Sequence, residues 1–297
     1  MFWRRKSDNS PTNRQHAQGL LTSLYVMATM VEARDPYTGG HLWRVSQYCR
    51  LVAEKLGLPT DEVARISLGG FLHDLGKVGV PDEILRKPGR LTDQEYDLIK
   101  THPEVGARLL AGHPLAELVM SAVLQHHEMP NGRGYPQGLS GTQLPLEARI
   151  VGVCDAFDAM TSHRPYRAGM PLAKALAIIE GEQGNQFDTE AAQALVALAR
   201  SGQLDSIRGH SDDGIPLQEC PMCGPTILIR RDQQPGELTC CRNCGAEAEI
   251  VEQQGRLVIE PTGRQASQSA LAPQADLALI DSLLTIVVEH LRLPTKS

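Results

Sequence analysis

Before residue 215 no segment alternates apolar and polar residues with the period of a strand, and this constrains the fold more than any other feature of the chain. Apolar residues recur at helical spacing instead. Leu20, Leu21, Leu24, Val26, Met27, Met30 and Val31 mark an amphipathic helix over 20–33. Segments at 41–56, 61–75, 92–111, 115–128, 146–161, 171–182 and 189–201 read the same way. Their stops are Gly57, Gly76, Gly112, Pro130, Gly184 and Gly202. Thr92, with Glu95 close behind, and Asp188 before Thr189 supply helix starts. Aromatic residues make up only 4% of the chain, so the core must come from Leu, Ile, Val, Ala and Met, which also favours helices.

Composition changes after Gly202. The expected fold class is therefore mainly α: an all-helical domain, a small β module and a C-terminal helix. Residues 1–16 are polar and expected to be flexible, 17–203 form the helical domain, and 204–218, rich in Asp, Ser and Gly, form a linker. Residues 219–261 form the β module, with short strands at 226–229, 237–240 and 247–260 and a turn at Gln254-Gly255. Residues 262–275 read as a second linker. Residues 276–293 read as an amphipathic helix whose apolar face, including Leu279, Ile280, Leu283, Leu284 and Val287, must pack on the main domain or on a second copy.

The β module carries Cys220-Pro221-Met222-Cys223-Gly224 and Cys241-Arg242-Asn243-Cys244-Gly245. Two such knuckles at this separation fit one structural zinc held by Cys220, Cys223, Cys241 and Cys244 in a zinc ribbon. A redox Cys-x-x-Cys needs one pair and a βαβ setting, and neither applies. Cys240 is a spare thiol that could displace Cys241 as a ligand, although the Cys-x-x-Cys spacing favours Cys241. Net charge is -6, so wholesale attraction to nucleic acid is not expected, and an anionic substrate must be held by local cations or metal. No apolar run reaches the length of a membrane span, and the basic start lacks the apolar stretch of a signal peptide, which points to the cytoplasm.

The chemistry-bearing residues are His73-Asp74, His41, His102, His126-His127 and Asp155. Imidazole and carboxylate without thiolate suit iron, manganese, zinc or nickel. Lys77, just after His73-Asp74, is a cation that can reach a phosphate. The combination reads as a metal-dependent phosphohydrolase.

The order of motifs resembles the HD-GYP family of the HD phosphohydrolases. The chain carries Arg34-Asp35-Pro36-Tyr37-Thr38-Gly39-Gly40-His41, then Leu72-His73-Asp74-Leu75-Gly76-Lys77, then Lys87-Pro88-Gly89 before the helix bearing His102. His126-His127-Glu128 leads into Gly132-Arg133-Gly134-Tyr135-Pro136, and Asp155 to Ser162 is followed by Arg164-Pro165-Tyr166-Arg167. The resemblance covers residues 20–200. It implies one metal on His41, His73, Asp74 and Asp155 and a second on Asp74, His102, His126 and His127, with Asp74 shared. It further implies hydrolysis of cyclic di-GMP to pGpG or GMP by metal-activated hydroxide, with iron or manganese as the metals. Lys77, Arg164, Arg167 and Tyr135 are the expected substrate contacts, and the Gly-Tyr-Pro loop the expected contact with diguanylate cyclase domains. Some members carry Glu where this chain has Tyr37, and there it helps hold a third metal; two metals are expected here. Glu32 is expected on the helix surface or supporting a ligand. Asp158, three residues after Asp155, is expected to orient a ligand His. Two other readings are an HD enzyme acting on a different cyclic dinucleotide, and a non-catalytic cyclic di-GMP adaptor.

Overall fold

The computed structural model describes residues 11–35, 38–87, 89–162, 169–224 and 226–291. The helical domain runs through α1 (Pro11–Glu32), α2 (His41–Lys55), α3 (Thr60–Leu72), α4 (Asp82–Leu85), α5 (Asp93–Ile99), α6 (His102–Leu110), α7 (Met120–Gln125), α8 (Leu146–Thr161), α9 (Leu172–Gly181) and α10 (Thr189–Arg200). Helix α2 packs along α3 and crosses α8, and α10 closes on α2 and α8. Leu21, Leu24, Leu68, Leu72, Ile150 and Leu195 form the dry centre. Tyr25 meets Phe71 edge-on at 4.8 Å and Tyr48 meets Phe157 at 5.2 Å, so the few aromatic rings join neighbouring helices.

Several boundaries differ from the periodicity. The stretch expected to be flexible through residue 16 is helical from Pro11, whose missing N–H costs nothing in a first turn. The helix expected over 92–111 is two helices. Pro103 has no N–H for the carbonyl of Ile99, so the chain breaks at Lys100-Thr101 and restarts as α6. The segment 115–128 splits into a 3-10 turn at Ala116–Leu118 and the short α7, and 61–75 ends as a helix at Leu72 before a 3-10 turn at Leu75–Gly79. Both expected starts are present: Thr92 and Glu95 form a reciprocal capping box, and Asp188 accepts from Ala191 N at 3.0 Å.

The expected linker 204–218 is structured. Leu204 and Ile207 are buried in the main core, and β1 (His210–Asp212) pairs with β2 (Ile215–Pro216). A strand therefore does occur before residue 215. It is too short to show an alternation, and Arg44, whose Nη1 donates to His210 O at 3.0 Å, ties it to α2. In the β module β3 (Gln218–Glu219) pairs with β4 (Thr226–Ile227), and β5 (Leu238–Cys240), β6 (Ala246–Gln253) and β7 (Arg256–Gln265) form an antiparallel sheet. The two-residue turn at Gln254-Gly255 has φ of 53° and 74°, the geometry that matches strand twist. β7 continues to Gln265 and is followed by α11 (Gln268–Leu271), so much of the expected second linker is ordered.

The chain closes with α12 (Leu277–His290), and Leu279, Ile280, Leu283, Leu284 and Val287 are buried against α1 and α3. The apolar face that raised the possibility of a second copy is covered within the chain, leaving Leu277 and Ile286 exposed. Among the described residues no helix is long and apolar enough to cross a membrane.

Candidate metal centre

Five stretches deliver the site. His41 opens α2; His73 and Asp74 follow α3; His102 opens α6; His126 and His127 follow α7; Asp155 sits on α8. Their side chains converge. His41, His73 and Asp155 present donor atoms within 4.8 Å of one another, as do His102, His126 and His127, and as do His73, Asp74 and His126. Asp74 stands between the two outer groups. Its Oδ2 lies 3.4 Å from His73 Nε2 and 3.7 Å from His41 Nε2, while Oδ1 lies 3.4 Å from His102 Nε2. Asp155 Oδ1 is 3.4 Å from His41 Nε2.

Four of the five rings are aimed by the nitrogen that faces away from the cluster. Nδ1 of His73 meets Gly70 O at 2.7 Å, Nδ1 of His102 meets Ile99 O at 2.7 Å, and Nδ1 of His126 meets Ala122 O at 2.9 Å. A carbonyl only accepts, so each of these Nδ1 atoms donates, and each ring in its neutral form turns an Nε2 lone pair into the cluster. The Ile99 carbonyl is the one that the break at Pro103 leaves without a helical partner. His41 Nδ1 meets Asp158 Oδ2 at 2.8 Å, the orienting role expected of Asp158.

Burial pushes His102 down, pushes His126 well below the usual imidazole range with the crowding of His127 and His73, and pushes His127 down to about 3. These rings are therefore neutral, yet the Nε2 atoms of His102 and His126 lie 3.1 Å apart with both lone pairs turned inward. Such a meeting of acceptors calls for a cation. Burial opposes charge on His73, but Asp74 and Asp155 outweigh it and push it up to about 9. Burial likewise opposes charge on Asp74, but Lys77, His73 and His102 hold it well below the carboxylate range. The donor set, its orientation and its charge fit a divalent cation bound through imidazole and carboxylate.

Lys77 reaches the cluster, its Nζ 2.7 Å from Asp74 Oδ2. Tyr135 stacks on His127 with ring centroids 4.7 Å apart and follows a groove of about 230 Å³ lined also by Tyr96, Met129, Arg149 and Gln186. Arg164, Arg167 and Tyr37 lie outside the described residues. Glu32 is half-buried, and its Oε1 accepts from Leu42 N at 2.9 Å, one residue beyond His41.

Three supports escaped the sequence reading. Arg44, 2% exposed, grips Asp158 with Nε at 2.6 Å and Nη2 at 2.9 Å. Its position three residues after His41, on the same helix face, was the available signal. Glu128 accepts from the backbone N–H groups of Gln137, Gly138 and Leu139 and so holds the loop that carries Tyr135. Gly76 lets the 3-10 turn touch α6: a Cβ there would stand 1.8 Å from His102 O and 2.5 Å from Gly106 N. Gly76→Ala is expected to lower stability by about 1–3 kcal/mol, the range for overpacking, and to weaken metal uptake by displacing His102. Urea denaturation and metal analysis of the same preparation check both effects; an unchanged midpoint with full metal content would contradict this close approach.

The cysteine knuckles also converge. Cys220 Sγ lies 3.5 Å from Cys244 Sγ, and Cys223 Sγ lies 3.5 Å from Cys241 Sγ. A tetrahedral zinc with Zn–S of about 2.3 Å needs sulfurs ~3.8 Å apart, close to this spacing. Cys240 stands apart, its Sγ 3.5 Å from Ala270 O. Burial pushes the Cys223 thiol up to about 11, so a metal must displace protons as it binds.

Comparison with known proteins agrees with this geometry. A profile described as "HD domain" matches residues 25–191, and one described as "Alpha-aminoadipate carrier protein LysW-like, globular domain", a zinc ribbon, matches residues 218–263. The chain is 43% identical over 186 residues to the cyclic di-GMP phosphodiesterase response regulator RpfG of Xanthomonas campestris, covering 62% of this chain and 49% of that protein. It is 38% identical over 183 residues to a cyclic di-GMP phosphodiesterase of Thermotoga maritima, covering 61% and 50%. It is 37% identical over 166 residues to 3'3'-cGAMP-specific phosphodiesterase 3 of Vibrio cholerae, covering 56% and 36%. The chain spans about half the length, or less, of these relatives. The converging histidines and aspartates and the profile match lead to one conclusion: the chain belongs to the HD domain family, with a zinc-ribbon module after the HD domain.

Proposed function

We propose that the chain is a metal-dependent phosphodiesterase that hydrolyses cyclic di-GMP to pGpG or GMP. The observation that carries this reading is Asp74, whose two oxygens face different histidine groups. That arrangement supports a pair of divalent metals, iron or manganese. His41, His73, Asp74 and Asp155 would hold one, and Asp74, His102, His126 and His127 the other. When bound, such a pair supplies Lewis acidity at phosphorus and a water acidified toward neutral pH. The chain's own groups do the rest. The fixed Nδ1 donors keep the imidazole lone pairs inward. Lys77, with Arg164 and Arg167, supplies positive charge for the phosphates on a chain of net charge -6. The groove beside Tyr135 offers an aromatic wall to a base. In this reading the Gly-Tyr-Pro loop is also the surface for diguanylate cyclase domains.

A second substrate reading, another cyclic dinucleotide, draws support from the similarity to a 3'3'-cGAMP-specific enzyme. A non-catalytic adaptor has no need of seven converging donors. The test is anaerobic purification, metal analysis, and a product assay with cyclic di-GMP and 3'3'-cGAMP side by side. Release of pGpG or GMP from cyclic di-GMP is expected. Faster cleavage of cGAMP would move the assignment to the second reading, and no turnover by protein carrying two metals would favour the adaptor.

The cysteine module is proposed to hold one structural zinc. Cys220→Ser is expected to lose this zinc and keep the metals of the HD centre, because the two donor sets share no residue. Metal analysis of the variant reads both; loss of the HD metals together with zinc would show that the ribbon supports the catalytic centre.

A further inference from the structure

A cavity of about 750 Å³ lies between the helical domain and the ribbon, and none of the seven clustered histidines and aspartates lines it. Its size is that of a small-molecule site. The end of α1 forms one side, the β5 strand and second knuckle another, and the segment leading into α12 a third. Leu228, Ile229, Leu238 and Leu279 supply apolar wall.

Most charges around it are already engaged. Asp212 is paired with Arg231, Glu247 with Arg264 and Arg230 with Asp232, while Asp276 caps α12 through Leu279 N. Glu237 is exposed to solvent. Asp35 also lines it, and its charge acts on Lys77 and on Glu32. Two opposite charges that enter no ion pair with a described residue are Glu32 and Arg242. Glu32 accepts from Leu42 N at 2.9 Å, and Arg242 donates from Nη1 to Ala33 O at 3.3 Å. Neither forms an ion pair with any described residue, and each is pinned to the backbone, so they do not close on each other. They nonetheless share a space, since both line the cavity. Arg44 and Asp35 act on Glu32 ahead of Arg242. Burial pushes Glu32 up to about 7 and pushes Arg242 down, so each charge sits where water no longer fully supports it.

We infer that this cavity is a binding site for a small zwitterion, an organic molecule with an ammonium and a carboxylate on an apolar chain, held by Glu32 and Arg242. An ammonium at Glu32 and a carboxylate at Arg242 compensate both charges at once. An amine or an acid alone leaves one of them uncompensated. The apolar wall accommodates the chain between the two ends. The site lies one residue from the metal centre, because the amide that Glu32 holds is that of Leu42, next to His41.

The test uses the full chain with both metal sites loaded, at pH 8, where Glu32 is largely ionised. Calorimetric titrations employ glycine, 4-aminobutyrate and 6-aminohexanoate as zwitterions of graded length, with butylamine and butyrate as single-charge controls. At least one zwitterion is expected to bind saturably and about tenfold or more tighter than either control. Glu32→Gln, which keeps an acceptor for Leu42 N, and Arg242→Gln are each expected to weaken that binding about tenfold or more. The comparison of ligands on the unmodified chain stands even where a variant fails to fold. Absence of saturable binding by all three zwitterions overturns the proposal, as does equal binding of butylamine, or binding unchanged in both variants.

Discussion

Asp74→Ala is expected to reduce hydrolysis of cyclic di-GMP by at least about four orders of magnitude, or roughly 5.5 kcal/mol of transition-state stabilisation. The size follows from position. Asp74 is the carboxylate whose oxygens reach toward both outer histidine groups, so its loss removes a donor from each metal and the link between them. Loss of a residue that only orients a ring costs less, about 10–100-fold. The variant also strands Lys77, whose ammonium lies 2.7 Å from Asp74 Oδ2, and a stranded buried charge destabilises. Asp74→Ala combined with Lys77→Met removes that complication, and it should fold better than the single variant and still be inactive. Turnover and metal content at saturating Mn²⁺, with circular dichroism as the check on folding, decide the matter. Near-normal turnover by folded Asp74→Ala would refute the shared-carboxylate arrangement.

The helical character of the first two hundred residues was legible because apolar spacing is a local signal, written in each helix by itself. What it could not show was where a local rule is interrupted by a single residue. Pro103 divides what reads as one helix, and the division has a chemical use: it leaves Ile99 O for His102 Nδ1. The strand at His210–Asp212 was invisible for a different reason. It is three residues long and held from outside, by Arg44 at one end and by the ion pair of Asp212 with Arg231 near the other. The ordered stretch after residue 261 likewise depends on contacts distant in sequence, such as Ala266 N donating to Gly245 O.

The candidate site was more legible than the fold boundaries. Imidazole and carboxylate are uncommon inside apolar helices, and their recurrence in a fixed order named all seven residues that the fold then gathers. Four cysteines in two knuckles were equally direct. The supports were not, because their residue types are ambiguous. An Arg in α2 or a Glu after two histidines reads as a solvated charge until the partner is seen, and Asp158 and the loop amides are those partners. The cavity between domains had no local signature, since Glu32 and Arg242 are 210 residues apart in sequence and acquire meaning only when the ribbon docks.

The largest expected effect on stability belongs to Arg44. It and Asp158 are 2% and 1% exposed, joined by two hydrogen bonds, and Arg44 also donates to Gly39 O, His210 O and Ser162 Oγ. The pair therefore holds α2, α8 and the β1 hairpin together under the metal centre. Arg44→Ala is expected to cost about 3–5 kcal/mol, because it leaves a buried carboxylate without its cation and three acceptors without a donor. That is a large part of the roughly 5–15 kcal/mol by which a domain is stable. Arg50→Ala, which breaks the exposed pair of Arg50 with Glu54, should cost no more than about 1 kcal/mol and serves as the control. The difference between wild type and Arg44→Ala should also depend on pH. Burial opposes charge on Asp158, but Arg44 and His41 hold its carboxyl well below the usual range. A group depressed in the folded state contributes its full stability above its unfolded value, near 4, and loses it progressively as pH falls below that. The gap in urea midpoints should therefore be constant from pH 8 to about 5 and narrow below about 4. A cost for Arg44→Ala no larger than that for Arg50→Ala would mean that the buried pair does not hold these elements together, and a gap that widens in acid would mean that Asp158 is not its ionised partner.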